Sequence, residues 1–373
     1  MVYAEDLKSS VLTDLWVRVP PRALRMEKIF LILLIFLPIT AIADYLHAAP
    51  SIVFLLSAAA IIPLAKYIGE ATEEITTGAG PALGGFLNAT FGNATELIIG
   101  FFAIQAGLVS VVKASITGSI IGNLLLVLGT AMLTGGLKHK NQKFNKTSAM
   151  AASSTMLLAV IALVMPAIFA QTAPLAGGGR VTDLSVFVSI VMLVVYGASL
   201  LFSLRTHRHL YEDEIVKLEP KWSMRKSLVI LALATAAVAW MSEILVGSIA
   251  PAIHALGWTP LFIGVVLIAV VGNAAEHTSA IVTAVKNRMD LALHIAIGSA
   301  TQIAIFVAPV LVLFSLFFKA RMSLVFNAFE LVAIVLSVLI TNLVIQDGES
   351  NWLEGLQLLM AYAIMAVAFF LHP

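Results

Sequence analysis

From Ile29 onward the chain is divided into eleven long apolar runs, and nothing else in the sequence narrows the possible folds as much. The runs cover residues 29–46, 51–78, 82–107, 110–136, 147–170, 182–205, 226–254, 259–285, 290–317, 322–345 and 353–371. A helix needs about 20 apolar residues to cross the hydrocarbon of a bilayer, and several runs are longer, so tilts or breaks are expected. With 60% hydrophobic and 12% charged residues and a mean hydropathy of +1.00, the chain reads as an all-α polytopic membrane protein. Its net charge of +1 points to no particular partner, and no nucleic-acid-binding patch is present. The lipid bilayer is the surrounding the composition demands, and oligomeric state stays open. The absence of cysteine excludes disulfides, thiolate metal sites and cysteine nucleophiles.

Lysine and arginine set the expected orientation. With the N-terminus in the cytoplasm, 17 of the 22 fall on the cytoplasmic side, four fall outside, and Lys66 lies within a run. Basic residues gather on the cytoplasmic side, so a cell-membrane protein with N-terminus inside and C-terminus outside is expected. Residues 29–43 resemble a signal-peptide core ending in Ala41-Ile42-Ala43. The 28 residues before them are too many for the usual basic leader, so this run is read as an uncleaved first span.

Two runs contain nearly the same sequence, 180 residues apart: Gly92-Asn93-Ala94-Thr95-Glu96 and Gly272-Asn273-Ala274-Ala275-Glu276. A carboxylate in the middle of a spanning helix costs about 2.5–3.5 kcal/mol on insertion scales and marks function. Gly118-Ser119 matches Gly298-Ser299 at the same offset, and Thr72-Glu73 with Pro81 matches Ser242-Glu243 with Pro251 at an offset of 170. An insertion around Ala255-Leu256-Gly257-Trp258 accounts for the change. Runs 2–6 therefore correspond to runs 7–11. Five crossings per half make this an inverted-topology repeat, whose substrate site is expected at the midplane where Glu96 and Glu276 meet. The expected organisation is a cytoplasmic segment 1–28, an extra helix 29–46, repeat 1 at 51–205, a cytoplasmic linker at 206–225 and repeat 2 at 226–373.

The chemistry of those residues suits a hard divalent cation. Calcium takes six to eight oxygens. Glu96 and Glu276 supply charge, Asn93 and Asn273 lie three residues earlier on the same helical faces, and Ser119, Ser299 and Gln302 add neutral oxygens. Two neighbouring carboxylates in a poorly solvated site repel each other, so a metal-free site holds protons, and calcium displaces them. Glu73 and Glu243, on opposite entrances, read as vestibule carboxylates, and His277 as a proton carrier beside Glu276.

The paired Gly-Asn-Ala-x-Glu stretches, with Gly298-Ser299-Ala300-Thr301-Gln302, resemble the calcium/proton antiporters, the cation/proton exchanger branch of the calcium:cation antiporter superfamily. The resemblance spans roughly residues 30–373. It implies one extra helix plus two five-helix repeats, export of cytosolic calcium against a proton gradient, no cofactor, and Glu96 and Glu276 as central ion-binding glutamates with Asn93, Asn273, Ser299 and Gln302 as neighbouring ligands. The first half departs from the second in having Gly122 where Gln302 would be matched, with Asn123 one position later. The acidic stretch between the halves is short, Glu212-Asp213-Glu214, and reads as a solvated loop.

Plainer readings stand beside these. Glu96 and Glu276 can be protonated structural acids, Asn93 and Asn273 helix–helix contacts, Ser119 and Ser299 small packing residues, and His277 a packed histidine. Asp44, Glu330 and Glu354 near run ends read as interfacial. Among functions, the alternatives are a sodium/calcium exchanger and an antiporter for another divalent cation such as manganese. No His-Glu-x-x-His, Gly-x-Ser-x-Gly or aspartate-rich motif suggests an enzyme.

Overall fold

The computed structural model describes residues 28–79, 87, 90–173, 177–207 and 220–372. The expected segment 1–28 except Lys28, the opening of the third run and most of the linker, including Glu212-Asp213-Glu214, lie outside them.

The helices follow the apolar runs closely. They are α1 (Lys28–Tyr45), α2 (Pro50–Gly78), α3 (Ala94–Gln105), α4 (Val109–Lys138), α5 (Lys146–Thr172), α6 (Gly179–Thr206), α7 (Met224–Leu256), α8 (Pro260–Gly272), α9 (Ala274–Val285), α10 (Met289–Ser315), α11 (Ala328–Val344) and α12 (Trp352–Leu371). Among the described residues eight are long and apolar enough to cross a membrane, and a ninth crossing arises if α8 and α9 form one bent span. Two expectations change. The run 259–285 is broken at Asn273 by a bend of 59°. The run 322–345 becomes helical only at Ala328, because Asn327 caps the helix there and forms a capping box with Glu330. Residues 321–327 instead pass through the protein as a non-helical segment with Met322, Leu324 and Phe326 buried.

Local signals set the other ends. Ser223 caps α7, Thr259 caps α8 with Pro260 in the first helical position, and Asn351 forms a capping box with Glu354 at α12. Gly257 ends α7 with a φ of 67°, a left-handed conformation open to glycine without penalty.

The helix ends gather at two faces. On the basic face, Lys138 Nζ donates to the Val285 carbonyl (3.0 Å), Gln142 Nε2 to that of Ala284 (2.8 Å), and a short antiparallel pair joins β1 (Gln142–Lys143) to β2 (Glu349–Ser350). The first turns of α4, α8 and α11 meet at the opposite face around a pocket lined by Val109, Lys113, Thr259, Asn327, Glu330 and His372. Glu330, expected at the interface, is buried, with Thr117 Oγ1 and the Asn327 N–H donating to its carboxylate.

Burial sorts the helices into inner and outer ones. The apolar window of α4 is 83% buried and that of α10 67%, against 11% for α1 and 17% for α12. The central helices approach closely through glycine. A Cβ on Gly118 of α4 would lie 2.1 Å from the Val265 carbonyl oxygen of α8, and one on Gly264 would lie 2.4 Å from Ala114 Cβ. Small residues thus let two backbones cross almost in contact. Outside this core, α2 and α7 form the most extensive helix pair. They run antiparallel, since the Trp222 N–H just before α7 donates to Glu74 near the end of α2 (3.0 Å).

Candidate ion-binding site

The two glutamates occupy equivalent local structures. Asn93 (φ −106°, ψ 18°) and Asn273 (φ −94°, ψ 18°) each leave the helical conformation and precede a new helix, α3 or α9. Glu96 and Glu276 stand in the first turns of those helices, where unpaired backbone N–H groups and the helix dipole favour negative charge. Glu96 is nine residues from Gln105, about 14 Å along α3 toward the opposite face. Glu276 is nine residues from Val285, about 14 Å along α9 toward the basic face.

The motifs meet across the molecule. Gly272, immediately before the second break, touches the first glutamate: a Cβ there would lie 3.0 Å from Glu96 Oε1. Around these motifs runs a network of amides and hydroxyls from α3, α4, α10 and the α8–α9 break. Asn93 Nδ2 donates to Gln302 Oε1 (2.7 Å). Asn273 Nδ2 donates to Ser119 Oγ (2.8 Å) and to the Ala269 carbonyl (2.8 Å). Asn123 Nδ2 donates to Asn273 Oδ1 (2.6 Å) and Ser299 Oγ (3.0 Å). Asn93, Asn123, Asn273, Ser119 and Ser299 are all buried.

The carboxylates themselves are not satisfied by this network. Both oxygens of Glu96 and Oε2 of Glu276 are buried without a hydrogen-bond partner. Buried polar atoms are nearly always paired, and a charged one left bare is costly. Such oxygens call for a proton or a cation. Glu96 borders a cavity lined by Ile99, Ser115, Ser119, Ile268, Gly272 and Val307, among others, which extends from it toward the opposite face. Among the described residues no group of three or more histidine, aspartate and glutamate side chains could hold a metal. The arrangement supplies two carboxylates with neutral oxygens around them. That set suits a hard cation held reversibly.

Of the other sequence-derived candidates, His277 is half-buried beside Glu276. Glu73 and Glu243 are exposed. Glu73 is close to the end of α2 that meets the start of α7, whereas Glu243 is nineteen residues into α7, about 28 Å farther along. Asn123 is the residue whose place in the network the sequence left open. Its signals were an amide within an apolar run and a spacing of four from Ser119. The backbone adds a cue invisible in the residues: α4 widens to a π-helix over Gly122–Val127, and α10 over Ile303–Val307. Wide turns of this kind cluster at functional sites.

The pattern of the family described as "Sodium/calcium exchanger protein" matches residues 50–205 and 226–371. The chain belongs to this family. In this exchanger-family chain, one matched block carries Asn93 and Glu96 and the other Asn273 and Glu276. A relative from Aphanothece halophytica named Ca(2+)/H(+) antiporter is 49% identical over 369 residues, covering 94% of this chain and 98% of that one. Ca(2+)/H(+) antiporter ChaA of Bacillus subtilis (strain 168) is 47% identical over 353 residues, covering 93% and 100%. The solved structure of native YfkE is 43% identical, with a TM-score of 0.82, covering 92% of this chain and all of that one.

Proposed function

We propose that this family member exchanges calcium for protons across a membrane by alternating access, with Glu96 and Glu276 holding either the metal or protons. The observation that carries the reading is the set of buried, unpaired carboxylate oxygens at two matching helix breaks. Two ionised carboxylates balance one divalent cation. Without it, a bare pair of charges in this buried setting is unfavourable, and protons take its place. If only the metal-loaded and protonated forms interconvert between the two faces, exchange follows.

Asn93, Asn273, Ser119, Ser299 and Gln302 complete the proposed oxygen shell. His277, next to Glu276 in sequence, is the proposed proton carrier, and Glu73 and Glu243 are the proposed vestibule carboxylates. If the shorter α3 and α11 cross as well and α8 with α9 is one span, the proposed order is α1, then five crossings from α2 to α6, then five from α7 to α12. The similar backbone angles at Asn93 and Asn273 support a duplication. Each glutamate is about 14 Å from a helix end, close to half of a hydrocarbon core about 30 Å thick. Proton coupling, rather than the sodium coupling in the family's description, is supported by relatives named as calcium/proton antiporters over nearly their whole length. The distribution of basic residues supports a cell-membrane location with the basic face toward the cytoplasm.

The test is calcium uptake into proteoliposomes under an imposed pH gradient, with and without sodium. Uptake that follows the proton gradient and ignores sodium is expected for the wild type, and none for Glu96→Gln or Glu276→Gln. Uptake that requires sodium would transfer the protein to sodium/calcium exchange. Replacing calcium by manganese in the same assay ranks the two cations.

A further inference from the structure

Asn123 has no part in the exchange described so far, yet it hydrogen-bonds two of the proposed ligands, Asn273 and Ser299. Its side chain is fully buried and projects from the π-helical segment of α4. The orientation of the amides can be deduced link by link. The Ala269 carbonyl can only accept, so the group of Asn273 facing it at 2.8 Å is Nδ2. Asn273 Oδ1 therefore points the other way, and the Asn123 atom 2.6 Å from it is the donor Nδ2. The second hydrogen of that nitrogen goes to Ser299 Oγ at 3.0 Å. Asn123 Oδ1 is then turned to a place where it finds no donor. An apolar residue of similar size would avoid that orphan, so packing alone does not account for an asparagine here.

Resting on the exchange reading above, we propose that Asn123 is a positioning residue for Asn273. It clamps one lone pair of Asn273 Oδ1 and leaves the other directed at the transported cation. The amide of Asn273 is then held between the Ala269 carbonyl, Ser119 and Asn123 and does not rotate when the ion arrives or leaves. In the other half, Asn93 pairs with Gln302 at 2.7 Å. Each break asparagine is met by an amide from the other half, Asn273 by Asn123 and Asn93 by Gln302.

The test is a double-mutant cycle on the full chain in proteoliposomes, comparing wild type, Asn123→Ala, Asn273→Ala and the double variant at fixed pH. Loss of an outer partner of a metal ligand weakens affinity about 10- to 100-fold. Asn123→Ala is expected to raise the calcium KM by such a factor with little change in maximal rate. The double variant is expected to match Asn273→Ala alone, because Asn123 acts through Asn273. Effects that multiply in the double variant would make Asn123 an independent ligand and overturn the proposal, as would an unchanged KM. If Asn123→Ala is not monodisperse in detergent, Asn123→Leu, which fills the space without a donor, takes its place in the cycle. Glu96→Gln and Glu276→Gln run alongside. If they transport normally, the exchange reading itself fails; if they are inactive but the cycle is multiplicative, only the role of Asn123 fails.

Discussion

Gly272 shows how closely the two halves depend on one another at the level of single residues. Its missing side chain leaves room for Glu96 Oε1, which a Cβ would approach to 3.0 Å. Gly272→Ala pushes on the end of a flexible side chain, so the fold should survive and the carboxylate should move. The expected result is a calcium KM raised about tenfold or more with an unchanged melting temperature, measured by uptake and by thermal unfolding in detergent. Proton competition acts on the same atoms. Protonation removes the charge that holds calcium, so the KM should rise as pH falls, by roughly tenfold per pH unit for each proton displaced. Uptake titrated with calcium at several pH values measures that slope, and a KM independent of pH would separate the glutamates from proton binding. Glu96, Glu276, Asn93, Asn273, Ser119, Ser299 and Gln302 were all legible as candidates, because a polar residue in an apolar run stands out. Their hydrogen-bond partners were not legible, since those partners lie on other helices.

Among the elements, the α4–α8 crossing is the contact least able to yield. A Cβ on Gly118 would meet backbone, 2.1 Å from the Val265 carbonyl oxygen and 2.5 Å from its Cα. Gly118→Leu must force the helices apart, an overpacking cost of about 1–3 kcal/mol or more. Thermal unfolding should show a much lower midpoint, and uptake should be lost with it. The capping box at α12 offers a contrast. Asn351 receives the Leu353 and Glu354 N–H groups at 3.0 and 3.2 Å, so Asn351→Ala costs about 1 kcal/mol and should lower the midpoint slightly while transport persists. The approximate helix positions were readable from hydropathy, which reports burial in lipid or protein without needing to know which. Three helix boundaries were not: the break at Asn93, the 59° break at Asn273 and the late start of α11 at Ala328. The breaks fall inside continuous apolar runs. The late start follows apolar residues 322–326 that the protein buries in non-helical form.

The whole molecule has a sidedness that a cysteine-free chain makes simple to measure. Asn141 is exposed on the basic face, and Lys319 is exposed in the segment between α10 and α11. With a cytoplasmic basic face, a membrane-impermeant thiol reagent added outside intact cells should label Lys319→Cys and spare Asn141→Cys. The reverse pattern would invert the orientation. The expected orientation was read from the distribution of lysine and arginine, and the expected duplication from sequence matches at offsets of 180 and 170. Both are properties of residue order alone. So are the membrane class of the chain and the identity of its unusual glutamates, because the cost of placing a residue in hydrocarbon depends chiefly on that residue. What only the tertiary structure decided is which groups satisfy one another. Asn123 bonds Asn273 and Ser299 across separations of 150 and 176 residues, and Asn273 bonds Ser119 across 154. Such contacts depend on where helices cross, and that crossing is set by packing between distant glycines and backbones rather than by any local pattern.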